Sequence, residues 1–370
     1  MPRISDIFAD RGEASMRKLA RPLPPQERRV GMSCRWTTTS LQRWWRWFGA
    51  LLGAAILVWV LRRFDLDRFR AILVQADLRY LVLLPLAIIG EQWVRAWKWR
   101  QLLYPIRPIG TLRLFGAIMA GYLTGLLVPF GFASLTRSWL VARREGLPTS
   151  AVLATVALDR LTDGVVFALL VPLALALVVF PDPNGDIRAG LSWGAAGSLV
   201  LCVLLLLALA AYRSGVLRPG LLDRLPERLA GPVRRAAAGF ASGIVCPRQP
   251  WRGLGIAISS IVIKLIAATH FLWVGLALGA ALQPAQYLFV MVFLGFLVIL
   301  GYFARVAGSF VIGAVFVLGL FGVAEERALA MVLTVETTSL LSVAGFGAFA
   351  LWRQGVALAD LRSRESGGLG

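Results

Sequence analysis

Apolar segments, each about as long as a membrane-spanning helix, recur along the chain and constrain its fold more than any other feature. A helix needs about 20 mostly apolar residues to cross the hydrocarbon core of a bilayer. Composition agrees, with 58% hydrophobic residues, 16% charged residues and a mean hydropathy of +0.72. The sequence therefore predicts an all-α integral membrane protein with about eight transmembrane helices. The segments cover approximately residues 46–61, 78–97, 109–128, 151–180, 190–212, 252–276, 285–303 and 325–352.

Two half-apolar stretches, residues 129–146 and 304–322, lie between these segments. Both contain Gly or Pro near a point where an apolar helix ends, and these residues interrupt regular helices. Non-helical backbone at membrane depth is tolerated only where it is buried in protein or lines a cavity. We therefore expect two re-entrant, broken helical segments. Their expected hinges are Gly125, Pro129, Gly308 and Gly313.

The broken stretches divide a transmembrane domain of residues 44–355 into two similar halves, about 44–180 and about 190–355. If one stretch is entered from each side of the membrane, the halves form an inverted repeat, as in many transporters. Residues 213–250 alternate Arg with Leu and Ala, a pattern typical of an amphipathic cytoplasmic loop. The basic N-terminal segment, 1–43, and the tail, 356–370, are predicted to be cytoplasmic, the former as a flexible segment.

The distribution of basic residues supports this topology. The chain has 39 Lys+Arg against 20 Asp+Glu, a net charge of +19. In the re-entrant topology, 29 basic residues fall on the cytoplasmic side and seven on the opposite side, in agreement with the positive-inside rule. The membrane topology and the attraction of basic residues to anionic lipid headgroups then explain the net positive charge, so binding to nucleic acid is not needed to explain it. We expect a multi-pass protein of the cell (inner) membrane with both termini cytoplasmic.

Cysteine and histidine are too few and too scattered for a metal centre or a disulfide framework. The three cysteines, Cys34, Cys202 and Cys246, form no CxxC pair, and His270 is the single histidine. We expect no metal and no cofactor. Buried in an apolar helix, His270 is interpreted first as a core histidine and second as a proton relay.

Charges inside apolar segments are the first candidates for function, because burying them in a membrane is costly. Asp159, Arg160 and Asp163 share one helix, and Arg137 on the first broken stretch is placed to reach them. One interpretation is a lipid headgroup site, with arginines binding phosphate and aspartates orienting the arginines. The other is a structural ion-pair cluster that fixes the broken helix. Both remain open at this point.

Three further groups are candidates for binding, coupling or gating. Glu91 and Arg95 form an i,i+4 pair that either attracts headgroups or belongs to an interfacial Trp/Arg belt. Glu336 lies in the middle of the last apolar segment, where it is either a coupling carboxylate or a partner of Arg305 or Lys264. Arg305, on the second broken stretch, is assigned to the headgroup site.

An enzymatic alternative rests on Asp65 and Asp67, which follow the first apolar segment on the external side. Membrane glycosyltransferases that use polyprenyl-linked donors often keep acidic residues there. The remaining external loops are short, which leaves little room for an acceptor, so an exposed acidic turn is the simpler interpretation.

Residues 91–163 contain a distinctive order of motifs: Arg95-Ala-Trp-Lys-Trp-Arg-Gln-Leu-Leu103, then Gly121, Pro129 and Arg137, and finally Asp159-Arg160-Leu-Thr-Asp163. This order resembles the flippase-like family typified by the transmembrane region of lysylphosphatidylglycerol synthases. It implies about eight helices with re-entrant elements, and lipid translocation or lipid-linked export. No aminoacylating domain follows the helices, so we expect a stand-alone member that is not an enzyme.

The chain departs from the family pattern at two acidic positions. Ser134 stands where the resemblance implies Glu, and the second Gly-rich loop ends in Gly313 where Glu is expected. Gly125 replaces an expected Asn. Because carboxylates are what a cationic headgroup needs, these changes favour an anionic or zwitterionic phosphate headgroup.

The sequence as a whole favours a flippase for a phospholipid or a polyprenyl-linked lipid. The alternative is a non-transporting membrane partner of a lipid- or glycan-synthesising enzyme. Candidate partners are therefore the membrane lipid itself, such an enzyme, and a second copy of the chain.

Overall fold

A computed structural model describes residues 71–127, 132–213, 238–244, 249–280, 282–304 and 309–353 of the chain. The described residues contain helices and no strand, which confirms the all-α prediction. The first apolar segment and the predicted domain boundaries near 43 and 355 lie outside them. The principal helices are α1 (Leu78–Leu103), α2 (Thr111–Leu127), α3 (Phe132–Glu145), α4 (Thr149–Leu177), α5 (Asp186–Arg213), α6 (Pro250–Ala277), α7 (Pro284–Ala304), α8 (Ser309–Gly319) and α9 (Glu325–Arg353).

Each apolar segment predicted within the described residues coincides with one of these helices. Four helices, α4, α5, α6 and α9, are long and apolar enough to cross a membrane. The protein is therefore a multi-pass membrane protein. Helix α1 is not among the four, because Glu91, Gln92 and Arg95 interrupt its apolar sequence. It begins at a side-chain cap, where Asp77 accepts a hydrogen bond of 2.9 Å from the backbone N–H of Arg79.

The first broken stretch forms a helical hairpin, because α3 runs back along α2. A Cβ on Gly125 would lie 3.0 Å from that of Ala133, near the break. A Cβ on Gly121, one turn farther away, would lie 2.7 Å from the carbonyl oxygen of Ala133 and 3.1 Å from Cβ of Arg137. With 14 residues, α3 extends about 21 Å, less than the roughly 30 Å of a hydrocarbon core.

The second broken stretch forms a similar hairpin from α7 and the 11-residue α8. The rings of Phe293 and Phe316 are 5.9 Å apart, and a Cβ on Gly313 would collide with Leu297. The breaks themselves, with Pro129, Arg305 and Gly308, lie outside the described residues.

Gly125 and Gly313 are not at the breaks, which corrects their assignment as hinges. Both lie inside helices, α2 and α8, and their missing side chains let the paired helix approach closely. These two glycines therefore serve the close packing of helices within each hairpin.

The helices repeat in order and in contacts. Helices α1–α4 and α6–α9 each consist of a long helix, a hairpin and a 29-residue helix. Helix α1 packs against α6, and α2 contacts α9 as α7 contacts α4. One apolar core joins α4 and α6–α9 with parts of α1 and α5, and another joins α1, α2, α3 and the start of α4 with part of α6. The opposite orientation of the halves in a membrane stays a prediction.

Most of the predicted amphipathic loop, residues 213–250, lies outside the described residues. Its described part, 238–244, packs against the start of α4, where a Cβ on Gly243 would collide with the backbone of Ala151.

Candidate functional site

Helix α1 carries three charged side chains on its buried face. Glu91, Arg95 and Lys98 are spaced four and three residues apart, which places them on one side of a helix. Their exposed fractions are 8%, 5% and 0%. A face of this kind, inside a largely apolar protein, requires charged partners on the neighbouring helices.

Helix α4 supplies those partners, Asp159 and Asp163. Arg95 places Nη1 2.8 Å from Oδ2 of Asp163 and Nη2 3.0 Å from Oε1 of Glu91. The Lys98 ammonium donates to Oδ1 of Asp163 and, at 3.0 Å, to the carbonyl oxygen of Asp159. It also forms an ion pair of 3.1 Å with Oδ1 of Asp159. Lys98 therefore bridges the two aspartates.

Helix α3 adds Arg137, whose Nη2 donates to Oδ2 of Asp159 at 3.3 Å. The Arg137 guanidinium also lies over the ring of Trp99, 5.1 Å from its centroid. Trp99 is held in turn by Thr155 on α4, whose Oγ1 accepts a 3.0 Å hydrogen bond from Nε1. The ion pair and the ring together attach the first hairpin to α1 and α4.

Arg137 is only partly satisfied by these contacts. Its Nε and Nη1 are buried, and neither has a hydrogen-bond partner within the described residues. Unpaired buried donors are costly, so they favour any oxygen that can reach them. Arg137 therefore combines a structural role with a free donor edge, and the geometry is compatible with both the headgroup site and the structural ion-pair cluster.

We call the six charged residues that meet here the buried charge cluster. They are Glu91, Arg95, Lys98, Arg137, Asp159 and Asp163.

Two residues of α6 border the cluster. His270 Nε2 is 3.6 Å from Oε2 of Glu91, so the histidine is not an isolated core residue. Lys264 is half-buried, with Nζ 5.4 Å from the ring centroid of Phe167, and it interacts electrostatically with Asp163.

Of the predicted site residues, Arg137, Asp159, Asp163, Glu91 and Arg95 are brought together. Arg160 is exposed and forms no hydrogen bond or ion pair with another described residue. Glu336 is likewise exposed, with no ion pair in the described part of the chain. Glu336 therefore does not join the cluster, and the roles assigned to it and to Arg160 stay predictions.

The pairing of the aspartates differs from expectation. The sequence places Arg160 in one candidate site with the two aspartates, but Asp163 is paired with Arg95 and Lys98 instead. The reason is the direction of the side chains, since Asp159 and Asp163 lie on the buried side of α4 and Arg160 does not.

Sequence reasoning missed Lys98 as a site residue, since it appeared there only within the motif from Arg95 to Leu103. The available signal was the spacing of Glu91, Arg95 and Lys98 along one helix face. The burial of Arg95, Lys98, Arg137 and Arg252 also removes four residues from the 29 counted as cytoplasmic, leaving 25 against seven. The asymmetry that supports the topology persists.

Within the described residues, no group of three His, Cys, Asp or Glu side chains is placed to hold a metal ion. Asp65 and Asp67, on which the glycosyltransferase alternative rests, lie outside these residues.

Comparison with known proteins gives one match. No curated protein and no solved structure is found to be similar to the chain. A family model described as the lysylphosphatidylglycerol synthase TM region matches residues 46–347, which include every described helix except the last residues of α9. The chain therefore belongs to the family of lysylphosphatidylglycerol synthase transmembrane regions.

Proposed function

We propose that the protein moves the polar headgroup of a phospholipid or a lipid-linked intermediate across the membrane. The observation that carries this proposal is the free donor edge of Arg137, buried beside a broken hairpin. Fixed charges at membrane depth are expensive and in membrane proteins commonly mark a substrate pathway. Family membership supports the same field of activity, because the matched region is part of a lipid-modifying synthase.

The arrangement of helices suggests how transport proceeds. The headgroup binds between the two hairpins, next to the buried charge cluster, while the acyl or prenyl tails remain in the bilayer. The two halves then rock against each other, exposing the site to one side at a time. The ion pairs of Lys98 with Asp159 and Asp163 keep the cluster rigid during this motion.

The experiment is a headgroup-accessibility assay on the purified full chain in liposomes containing fluorescent phosphatidylglycerol. Arg137→Ala is expected to abolish transport, because it removes the unpaired donors. Arg143→Ala is the matched control, since Arg143 lies on the same helix but is exposed over Trp139, 5.3 Å from its ring centroid. We expect the control to transport at the wild-type rate.

Folding must be separated from transport, because Arg137 also anchors α3. Arg137→Lys retains one charge but not the guanidinium edge, and thermal unfolding in detergent verifies that each variant is folded. Wild-type transport by folded Arg137→Ala would contradict the proposal.

The second candidate is a non-transporting partner of a lipid- or glycan-synthesising enzyme. The description of the matched family favours this candidate, because it names a transmembrane region of a synthase. In such a synthase, the region lies beside an enzyme. A folded wild-type protein that moves no lipid in the liposome assay, but co-purifies with such an enzyme, would support this candidate over transport.

A further inference from the structure

An open groove runs between α1 and α6 on the outer surface of the helices. Its volume is about 300 Å³, and no residue of the buried charge cluster lines it. Trp93 and Trp97 of α1 form one side, and Gly255 and Ile258 of α6 form the other. Trp93 and Ile258 are 45% and 50% exposed, so the groove opens to the surface that faces lipid in a membrane protein. A volume of this size is at the lower end of the range found for small-ligand sites.

The walls of the groove are suited to hydrocarbon. A Cβ on Gly255 would lie 3.0 Å from Cη2 of Trp97, so the missing side chain leaves room beside the indole ring. The hydroxyl of Ser259, which also lines the groove, donates to the carbonyl oxygen of Gly255 at 2.7 Å, within its own helix. The groove therefore offers an apolar surface that an acyl or prenyl chain can cover.

A cation lies at one end of this groove. Helices α1 and α6 are antiparallel here, because Gly255 faces Trp97 while Arg252 donates from Nη1 to Oε1 of Gln101 at 2.9 Å. Arg252 precedes Gly255 by three residues, about 4.5 Å along the helix axis. The guanidinium therefore follows the apolar walls by about one helical turn.

The charge of Arg252 is not neutralised by any described carboxylate. Its Nε and Nη1 donate to the neutral amide oxygens of Gln249 and Gln101, at 2.6 and 2.9 Å. The third nitrogen, Nη2, has no hydrogen-bond partner among the described residues, yet it is not fully buried. Its guanidinium carbon lies 3.4 Å from the ring centroid of Tyr104 and 4.3 Å from that of Trp251, which offsets part of the cost of burial. Because Arg252 is only 8% exposed, an anion at Nη2 would supply the counter-charge that is missing.

We propose that the groove between α1 and α6 binds an anionic membrane lipid, with one hydrocarbon chain between the helices and the phosphate against Nη2 of Arg252. Tyr104 directly follows α1 and Trp251 lies in the first turn of α6, so both are at helix ends. Exposed aromatic residues at helix ends are typical of headgroup depth. This site is separate from the buried charge cluster, and it holds a retained lipid that joins α1 to α6, whether or not the protein transports lipid.

The test is native mass spectrometry of the full chain in detergent, titrated with phosphatidylglycerol and with phosphatidylcholine of the same chain length. We expect one phosphatidylglycerol to bind about tenfold more tightly than phosphatidylcholine, and Arg252→Gln to abolish that preference. Arg143→Gln is the matched control, since it removes a cation that also lies over a tryptophan ring, 5.3 Å from the centroid of Trp139. We expect this control to retain the preference. Equal binding of the two lipids by the wild-type protein would overturn the proposal.

Two further variants separate the lipid site from a purely structural role of Arg252. Gln101→Leu breaks the hydrogen bond between α1 and α6 but keeps the cation, so it should retain the preference for phosphatidylglycerol. Ile258→Trp fills the groove from its exposed side and should weaken binding of both lipids about tenfold. Ile261→Trp should not, because Ile261 is also exposed on α6 but does not line the groove. Unchanged binding in Ile258→Trp, or an undiminished preference in folded Arg252→Gln, would overturn the site.

Discussion

Lys98 and Asp159 have no solvent exposure at all, although both are ionisable. The Lys98 ammonium contacts Asp159 and Asp163, and no neighbouring solvent can replace either contact. Removing one partner of a buried ion pair takes a counter-charge away from the other, which is strongly destabilising. Lys98 therefore holds α1 to α4 together with Arg95 and Trp99, which also contact α4.

Lys98→Ala should lower the free energy of unfolding by roughly 3–5 kcal/mol, because two buried carboxylates lose their common cation. Thermal unfolding of the purified protein in detergent measures the effect. Arg79→Ala is the control, since Arg79 is an exposed cation near the start of the same helix. Equal unfolding temperatures for the two variants would show that the Lys98 bridge contributes nothing to stability.

At the scale of elements, the close approach of α2 and α3 positions Arg137. Gly121 faces both the carbonyl oxygen of Ala133 and Cβ of Arg137, so any side chain there separates the two helices. Separation moves Arg137 away from Asp159, whose carboxylate is fixed by α1 and α4. The geometry of the site thus depends on a position that bears no polar group.

Gly121→Ala should destabilise the protein by about 1–3 kcal/mol, the usual cost of overpacking. Gly90→Ala provides a matched comparison, because a Cβ there meets no atom within 4 Å and Ala favours the helix by up to about 1 kcal/mol. Opposite shifts in unfolding temperature are expected. A Gly121→Ala protein as stable as Gly90→Ala would mean that the hairpin is looser than the structure shows.

Helix positions were predictable from the sequence because they follow from apolar length and from Gly and Pro, both of which are local signals. The partners of Asp163 were not, since they depend on which way each helix is rotated. Arg160 is adjacent in sequence to Asp159 but is exposed, whereas Arg95, 68 residues from Asp163, contacts it. Only the relative rotation of α1 and α4 decides between such partners.

For the whole molecule, the repeated helices carry an unequal distribution of charge. Asp159 and Asp163 are the eleventh and fifteenth residues of α4, and the same positions of the equally long α9 are Val335 and Ser339. One half therefore supplies the buried charge cluster, while the other supplies an apolar hairpin. If the protein transports lipid as proposed, the two directions of transport need not be equivalent.

The predicted topology is tested by single cysteines introduced after the native Cys34, Cys202 and Cys246 are replaced. Cysteines at Gly185 and Leu282 should react with an impermeant reagent added outside the cell. Those at Gly231 and Gly355 should react only after the membrane is opened, because the basic segments remain cytoplasmic. If the cysteines introduced at Gly185 and Gly231 were labelled from the same side of the membrane, the re-entrant hairpins would be contradicted.

The charged face of α1 also has a consequence for biogenesis. A charged residue near the middle of a helix costs about 2.5–3.5 kcal/mol during translocon-mediated insertion, and α1 carries three along one side. Its counter-ions on α4 are synthesised about 60 residues later, so α1 leaves the ribosome without them. We therefore expect stable integration of α1 to depend on α4, and a nascent chain truncated before Asp159 to be retained by an insertase or degraded.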